Sequence, residues 1–194
     1  MTSSAQASTL TFTLNQDGCT GTCGSAPFGT ITLTDNGSGS SAFVTVTETL
    51  AASERYAGIG AGEALEFNVT NSVVIGNLTP NFAVGPAPAS ASTFGSFLLS
   101  IACSTCQGGQ IGNPAGPLSF TAGSATGVTV NDFIANAGGY YFASAIVGNN
   151  GKSGNVASLG ADPSVVPEPR TVILTLSGLL LAGVNAFRRK QVCC

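Results

Sequence analysis

Residues 30–49 read TITLTDNGSGSSAFVTVTET. In the first five, Ile31 and Leu33 alternate with Thr30, Thr32 and Thr34, and the run from Phe43 to Thr49 continues in the same style. A period of two puts apolar side chains on one face and hydroxyls on the other, the pattern of a half-buried strand. Between the runs, Asp35-Asn36-Gly37-Ser38-Gly39 supplies the left-handed positions that a turn requires.

The same pattern extends in both directions. Leu10, Phe12 and Leu14 alternate with Thr11 and Thr13, and Leu65, Phe67 and Val69 alternate with Glu66, Asn68 and Thr70. Val73–Ile75 forms a further short candidate. Phe94–Ala102 is more continuously apolar and suits a strand covered on both faces. Leu118–Thr121, Val128–Phe133 and Tyr140–Val147 complete the series. Turn residues separate the runs at Gly85-Pro86-Ala87-Pro88, Gly108-Gly109 and Asn149-Asn150-Gly151-Lys152. Roughly eight to ten short strands at this spacing predict an all-β fold, an antiparallel β-sandwich over residues 8–160. No long amphipathic helix separates the strands, which disfavours a parallel α/β sheet, and no fixed-period repeat points to a propeller or solenoid. Clear periodicity ends after Val156, so residues 161–170 are expected to form a tether.

Composition agrees with one β-rich domain. The 194 residues suffice for one core. Only 8% are charged, against roughly 25% in ordinary soluble proteins, yet 43% are hydrophobic. Disordered chains show the opposite combination. Before Pro169 the basic residues are Arg55 and Lys152 alone, so no basic patch exists to meet phosphates and nucleic-acid binding is not expected.

The chain has no His and no Trp. That removes His-based triads, imidazole bases and His metal ligands. Lys152 lies in a Gly/Asn-rich turn and reads as a solvated loop lysine. Carboxylate chemistry would draw on Asp17, Asp35, Glu48, Glu54, Glu63, Glu66 and Asp132, but the strand positions among them are expected to face solvent. The chain is therefore not expected to be an enzyme or to carry a cofactor. Asp17 and Asp35-Asn36-Gly37 are candidates for loop oxygens on a calcium ion, without EF-hand spacing. Asn36-Gly37-Ser38, Asn68-Val69-Thr70 and Asn77-Leu78-Thr79 match the glycosylation acceptor pattern.

Cys19-x3-Cys23 and Cys103-x2-Cys106 form two close pairs. Disulfides are the expected state in an exported protein. Local pairing, Cys19–Cys23 and Cys103–Cys106, would staple two turns and is favoured. Cross-pairing would close longer loops and add more stability. A zinc site or a redox role for Cys103-Ser104-Thr105-Cys106 is an alternative, although no helix start lies there to lower a thiol pKa.

The C-terminus has its own character. Thr171–Phe187, TVILTLSGLLLAGVNAF, is apolar nearly all round, and Arg188, Arg189 and Lys190 follow at once. As a helix it would span about 25 Å, close to the ~30 Å of a hydrocarbon core. It is expected to be a transmembrane helix, with 171–190 as the membrane unit and the basic cluster kept on the cytoplasmic side as a stop-transfer signal. A buried core helix would show a polar face, which is missing here. Ahead of it, Pro167-Glu168-Pro169 fixes an extended segment that cannot join the helix.

Pro167-Glu168-Pro169, an apolar span and then Arg188-Arg189, in this order, resemble the PEP-CTERM sorting signal of Gram-negative, mostly biofilm-forming bacteria. The resemblance covers about 25 residues. It implies recognition by exosortase, a membrane transpeptidase-like enzyme with a Cys nucleophile, with Pro167, Glu168 and Pro169 as recognition residues and Arg188 and Arg189 as the arrest cluster. It further implies membrane lipid contact through 171–187, glycosylation of the Ser/Thr-rich body, and association with exopolysaccharide at the cell surface or beyond. The Gln191-Val192-Cys193-Cys194 extension departs from the usual ending. Its two Cys are expected to be cytoplasmic and incidental, with palmitoylation or metal binding as alternatives. At the other end, Ala5-Gln6-Ala7 fits a signal-peptide cleavage pattern with no apolar stretch before it, so residues 1–7 are read as a signal-peptide remnant whose start lies upstream of Met1. A carbohydrate-binding, lectin-like sandwich anchored by the same tail is the alternative reading of the body.

Overall fold

The computed structural model describes residues 7–37, 42–58, 63–110 and 112–162. The Pro167-Glu168-Pro169 motif, the apolar run 171–187 and the Arg188-Arg189-Lys190 cluster lie outside the described residues, as do residues 1–6. The compact unit that carries the described residues runs to Asp162. Among those residues no helix is long and apolar enough to cross a membrane.

Fifteen strands occur among the described residues. In chain order they are β1 (Thr9–Leu14), β2 (Gln16–Asp17), β3 (Gly29–Asp35), β4 (Phe43–Leu50), β5 (Arg55–Tyr56), β6 (Glu63–Val69), β7 (Val74–Gly76), β8 (Phe82–Val84), β9 (Ala89–Ala91), β10 (Gly95–Phe97), β11 (Leu99–Cys103), β12 (Leu118–Gly123), β13 (Phe133–Ile134), β14 (Phe142–Val147) and β15 (Ser153–Ser158). The first sheet runs β1-β3-β4-β12-β7. The second runs β2-β15-β14-β6-β11-β8, with β5 also on β14 and β13 on β6. All pairings are antiparallel, and β9 and β10 form a separate hairpin.

The two sheets share one apolar core, the arrangement of a β-sandwich. Phe67 on the second sheet stacks on Phe120 of the first at 5.4 Å, and Phe12 on the first meets Phe142 of the second edge-on at 5.0 Å. Each such ring is fully buried and contributes about 1.5–3 kcal/mol. In the first sheet burial alternates as the sequence predicts: inward residues of β3, β4 and β12 are buried and their outward partners are not. In the second sheet, β6 and β14 are buried at every position. The β9–β10 hairpin covers part of their outer face, where Ala91, Phe94 and Phe97 pack on Ala143 and Ala157.

Several expectations need correction. Phe94–Ala102 is two strands, β10 and β11, with different partners; Gly95 at φ +92° and exposed Leu98 interrupt it. Val128–Phe133 is not one strand: Val128 and Thr129 are irregular, Val130–Asp132 form a 3-10 helix, and Phe133 opens β13. The segment after Val147 returns as β15, which pairs along the whole of β14. Residues 161 and 162, expected in the tether, belong to the body. Ala161 bridges Phe12, the Asp162 N–H donates to the Thr11 carbonyl at 2.7 Å, and the Thr13 hydroxyl donates to the Asp162 carboxylate at 2.6 Å. These contacts cover the free edge of β1, which would otherwise offer unpaired backbone groups.

Candidate functional site

Two strand carboxylates expected to face solvent, Glu48 and Glu66, do not: both are buried, as are Glu54 and Glu63, while Asp132 is half-buried. Glu48 lies on β4 in phase with Val44, Val46 and Leu50, so its side chain enters the core between the sheets. There it faces Tyr56 and Ser144 of the second sheet, but both its oxygens and the Tyr56 hydroxyl lack a partner in good hydrogen-bond geometry. Ser144 spends its hydroxyl proton on the Ala64 carbonyl at 2.9 Å. Burial pushes the Glu48 carboxyl up to about 8, opposed in part by Ser144 and then Tyr56. Burial likewise holds the Tyr56 phenol well above its usual range. Burial thus favours the protonated, neutral form of Glu48 in the folded protein at pH 7.

Glu66 differs in cause. It is out of phase with Leu65 and Phe67, points away from the sandwich core, and is enclosed on that outer side. Burial, then the neighbouring Glu63 charge, pushes it up to about 7, while a bond to the Ala91 backbone opposes the rise. Among the described residues no cation faces the pair: Arg55 donates to the carbonyls of Ala52 and Glu54, and Lys152 is exposed in its turn.

The loop aspartates act as local braces. Asp17 accepts from the N–H groups of Cys19 at 2.9 Å and Cys23 at 3.1 Å. Asp35 accepts from Ser8, Gly37 and Val130. Asp132 accepts from the Thr129 N–H and hydroxyl and from the Thr70 hydroxyl. Its carboxyl is held below the usual range by the Thr129 backbone bond first; desolvation opposes this, and the Thr129 and Thr70 hydroxyls lower it further. The oxygens expected for calcium at Asp17 and Asp35 are thus engaged by backbone donors.

The four cysteines among the described residues pair locally. Cys19 and Cys23 lie at disulfide distance with Cα atoms 5.5 Å apart, and Cys103 and Cys106 with Cα atoms 5.4 Å apart. Asp17, Cys19 and Cys23 group closely enough to resemble a metal cluster, but sulfurs joined to each other are not thiolate ligands.

The remaining site candidate is the outer face of the first sheet. Register aligns its hydroxyls into rows across the strands: Thr9, Thr34, Thr45 and Thr121 in one, Thr11, Thr32, Thr47 and Ser119 in the next, Thr13, Thr30 and Thr49 in a third. Neighbours within a row bond each other, Thr47 to Ser119 at 3.1 Å and, weakly, Thr9 to Thr34 at 3.5 Å. At one end the row Phe43, Gly123, Val74 replaces hydroxyls with two exposed apolar side chains flanking a glycine. They border a shallow depression of about 420 Å³ whose floor and sides also include Thr121 and Asn77. The Asn77 amide donates to the Thr121 hydroxyl at 3.3 Å. The strand pattern made outward threonines legible, but which stood beside which depended on register, which the pattern alone does not fix.

The class defined so far is an all-β, disulfide-paired antiparallel sandwich with one open hydroxyl-rich face. Comparison with protein-family models, curated proteins and solved structures finds no match to this chain.

Proposed function

We propose that the chain is an exported, non-enzymatic surface or extracellular-matrix protein, delivered by a C-terminal PEP-CTERM tail that an exosortase processes. The observation that carries the reading is the order of Pro167-Glu168-Pro169, the apolar run 171–187 and Arg188-Arg189-Lys190 at the end of the chain. Two local cysteine pairs at disulfide distance support it, because such pairs persist in oxidising compartments. Carboxylates buried without a catalytic partner, or consumed in bracing turns, favour a structural role over a hydrolytic one. In this reading the body first stands outside the inner membrane, anchored by the tail, and then reaches the cell surface or the exopolysaccharide.

Expression of the Pro167→Ala/Glu168→Ala double variant in a host with an exosortase tests the proposal. The variant is expected to keep its tail and run larger than the processed wild type on a gel. Equal sizes for the two would refute processing at this motif.

A second reading, a carbohydrate-binding sandwich anchored by the same tail, is favoured by one specific observation. The outer face of the first sheet combines rows of hydroxyls with an apolar trough at Phe43, Gly123 and Val74.

A further inference from the structure

The two outer faces of the sandwich are not equivalent. On the second sheet the central strands β6 and β14 are buried at every position. On the first sheet, no outward threonine or serine of β1, β3, β4 and β12 is buried. The open face carries hydroxyls, methyls, the Asn77 amide and the Phe43 ring, and no ionisable side chain among its outward strand positions.

We propose that this face docks a neutral polymer of hydroxylated rings, a neutral glycan chain, laid across the strands with one ring against Phe43 in the trough beside Gly123. The proposal deepens the carbohydrate-binding reading and rests on it. Charge selects the occupant. No outward strand position offers a polyanion a cation, and the one carboxylate that reaches the face, Asp162 on the Thr13 hydroxyl, lies at the β1 edge, rows away from Phe43, so an uncharged polyol loses nothing to unmatched charge. A threonine row exchanges hydroxyl bonds with a polyol much as it does with water, so net attraction must come from apolar area. Phe43, 38% exposed, and Val74, 77% exposed, supply it, and the C–H faces of sugar rings pack on aromatic surfaces. Gly123 keeps the floor between them clear; an added Cβ there would lie 3.6 Å from that of Phe43.

Geometry selects a chain over a crystal plane. Adjacent strands are spaced by about 4.8 Å, near the length of one sugar ring, so a chain with one ring on Phe43 can set its other rings, strand by strand, over the adjacent row of Thr34, Thr45 and Thr121. The rows also fan by roughly 20° per strand because sheets twist. A flexible chain can follow that curvature, while a flat lattice such as ice would match only a few strands.

The test measures retention of the purified full chain on immobilised dextran, galactomannan and cello-oligosaccharides, with alginate as the anionic comparison. Retention by at least one neutral glycan, insensitive to salt, is expected. Phe43→Ala should weaken it about tenfold. Asn77→Gly, which keeps the positive φ of 50° comfortable, should weaken it in the same direction. Val84→Ala/Leu98→Ala, at exposed apolar positions of β8 and the β10–β11 link, should leave it unchanged. Wild-type retention by both Phe43→Ala and Asn77→Gly would overturn the surface while sparing the carbohydrate-binding reading. No retention on any neutral glycan, with or without thermal hysteresis in ice, would overturn both. Salt-sensitive preference for alginate would overturn the neutral-ligand assignment.

Discussion

Glu48→Gln should remove most of the loss of folding stability that rising pH causes. Glu48 is enclosed between the sheets, and burial lifts its carboxyl from 4.5 to about 8. The folded protein thus holds a proton that the unfolded chain releases near pH 4.5. Glu48's contribution is fully present below pH 4.5, falls as pH rises, and is lost by about pH 8. From pH 5 to 7.5 the difference spans 2.5 pH units, which at about 1.4 kcal/mol per unit amounts to about 3 kcal/mol. Glutamine has nearly the same shape and no proton to lose, so the variant should be spared this decline. Its stability relative to wild type should rise by about 3 kcal/mol over that range, or roughly 6–12 °C in melting temperature.

Urea unfolding at fixed pH values from 5 to 8.5 measures the effect. Taking variant minus wild type isolates Glu48 from Glu66, whose rise to about 7 acts in the same direction in both proteins. Tyr56→Phe is the companion, because burial and not the phenol is the main cause of the shift. That variant should keep a wild-type pH slope. A wild-type stability that stayed flat or rose from pH 5 to 7.5, or a Glu48→Gln protein with the same slope as wild type, would refute a neutral carboxyl in this core.

Three further outcomes follow from the packing. Gly154→Ala should cost about 1–3 kcal/mol, because its Cβ would lie 2.6 Å from the Cys19 Cα and 2.8 Å from its Sγ; an unchanged denaturation midpoint would contradict that contact. Replacing either cysteine pair by serines should cost about 2 kcal/mol in the chain-entropy view, since the loops are short, with sequence separations of 4 and 3; alkylation of the untreated native protein at these cysteines would show instead that they are free thiols. Asp132→Asn should lower stability at neutral pH and flatten the acid limb, because a carboxyl held below 3.8 supports the fold above that pH and loses its contribution as pH falls through the folded value; an acid limb identical to wild type would count against the Thr129 and Thr70 bonds.

The two misjudged glutamates show where the pattern was legible and where it was not. In the first sheet the alternation of Thr with Val, Ile, Leu and Phe predicted burial along β1, β3, β4 and β12. Glu48 was readable there too: it shares the parity of Val44, Val46 and Leu50, which outweighs the habit of placing carboxylates in water. Glu66 was not readable. Its parity is that of an outward residue and it does point outward, but the outer side of β6 is enclosed, a consequence of long-range packing. β15 was missed for a third reason. Its sequence SGNVAS lacks alternation because Gly154 must leave room for Cys19, so local pattern was given up to a contact 135 residues away in the chain.

These differences bear on where function can reside. Covering the outer side of β6 and β14 buries Glu63 and Glu66 and removes the central part of that face from the environment. Leaving the outer side of β3, β4 and β12 open commits many hydroxyls to water, where they add little to stability because each bond they make replaces one to solvent. A sandwich needs a polar outer side, and charged residues would serve solubility better than threonines do. With 8% charged residues in the whole chain, the outward strand positions of this face carry no charge, to a degree that solubility alone does not explain. Substituting Thr32 and Thr47 by Lys would keep both strands half-exposed and improve solubility. If retention on neutral glycans survived that substitution, the missing charge would be incidental, and the docking surface would have to be sought elsewhere on the body.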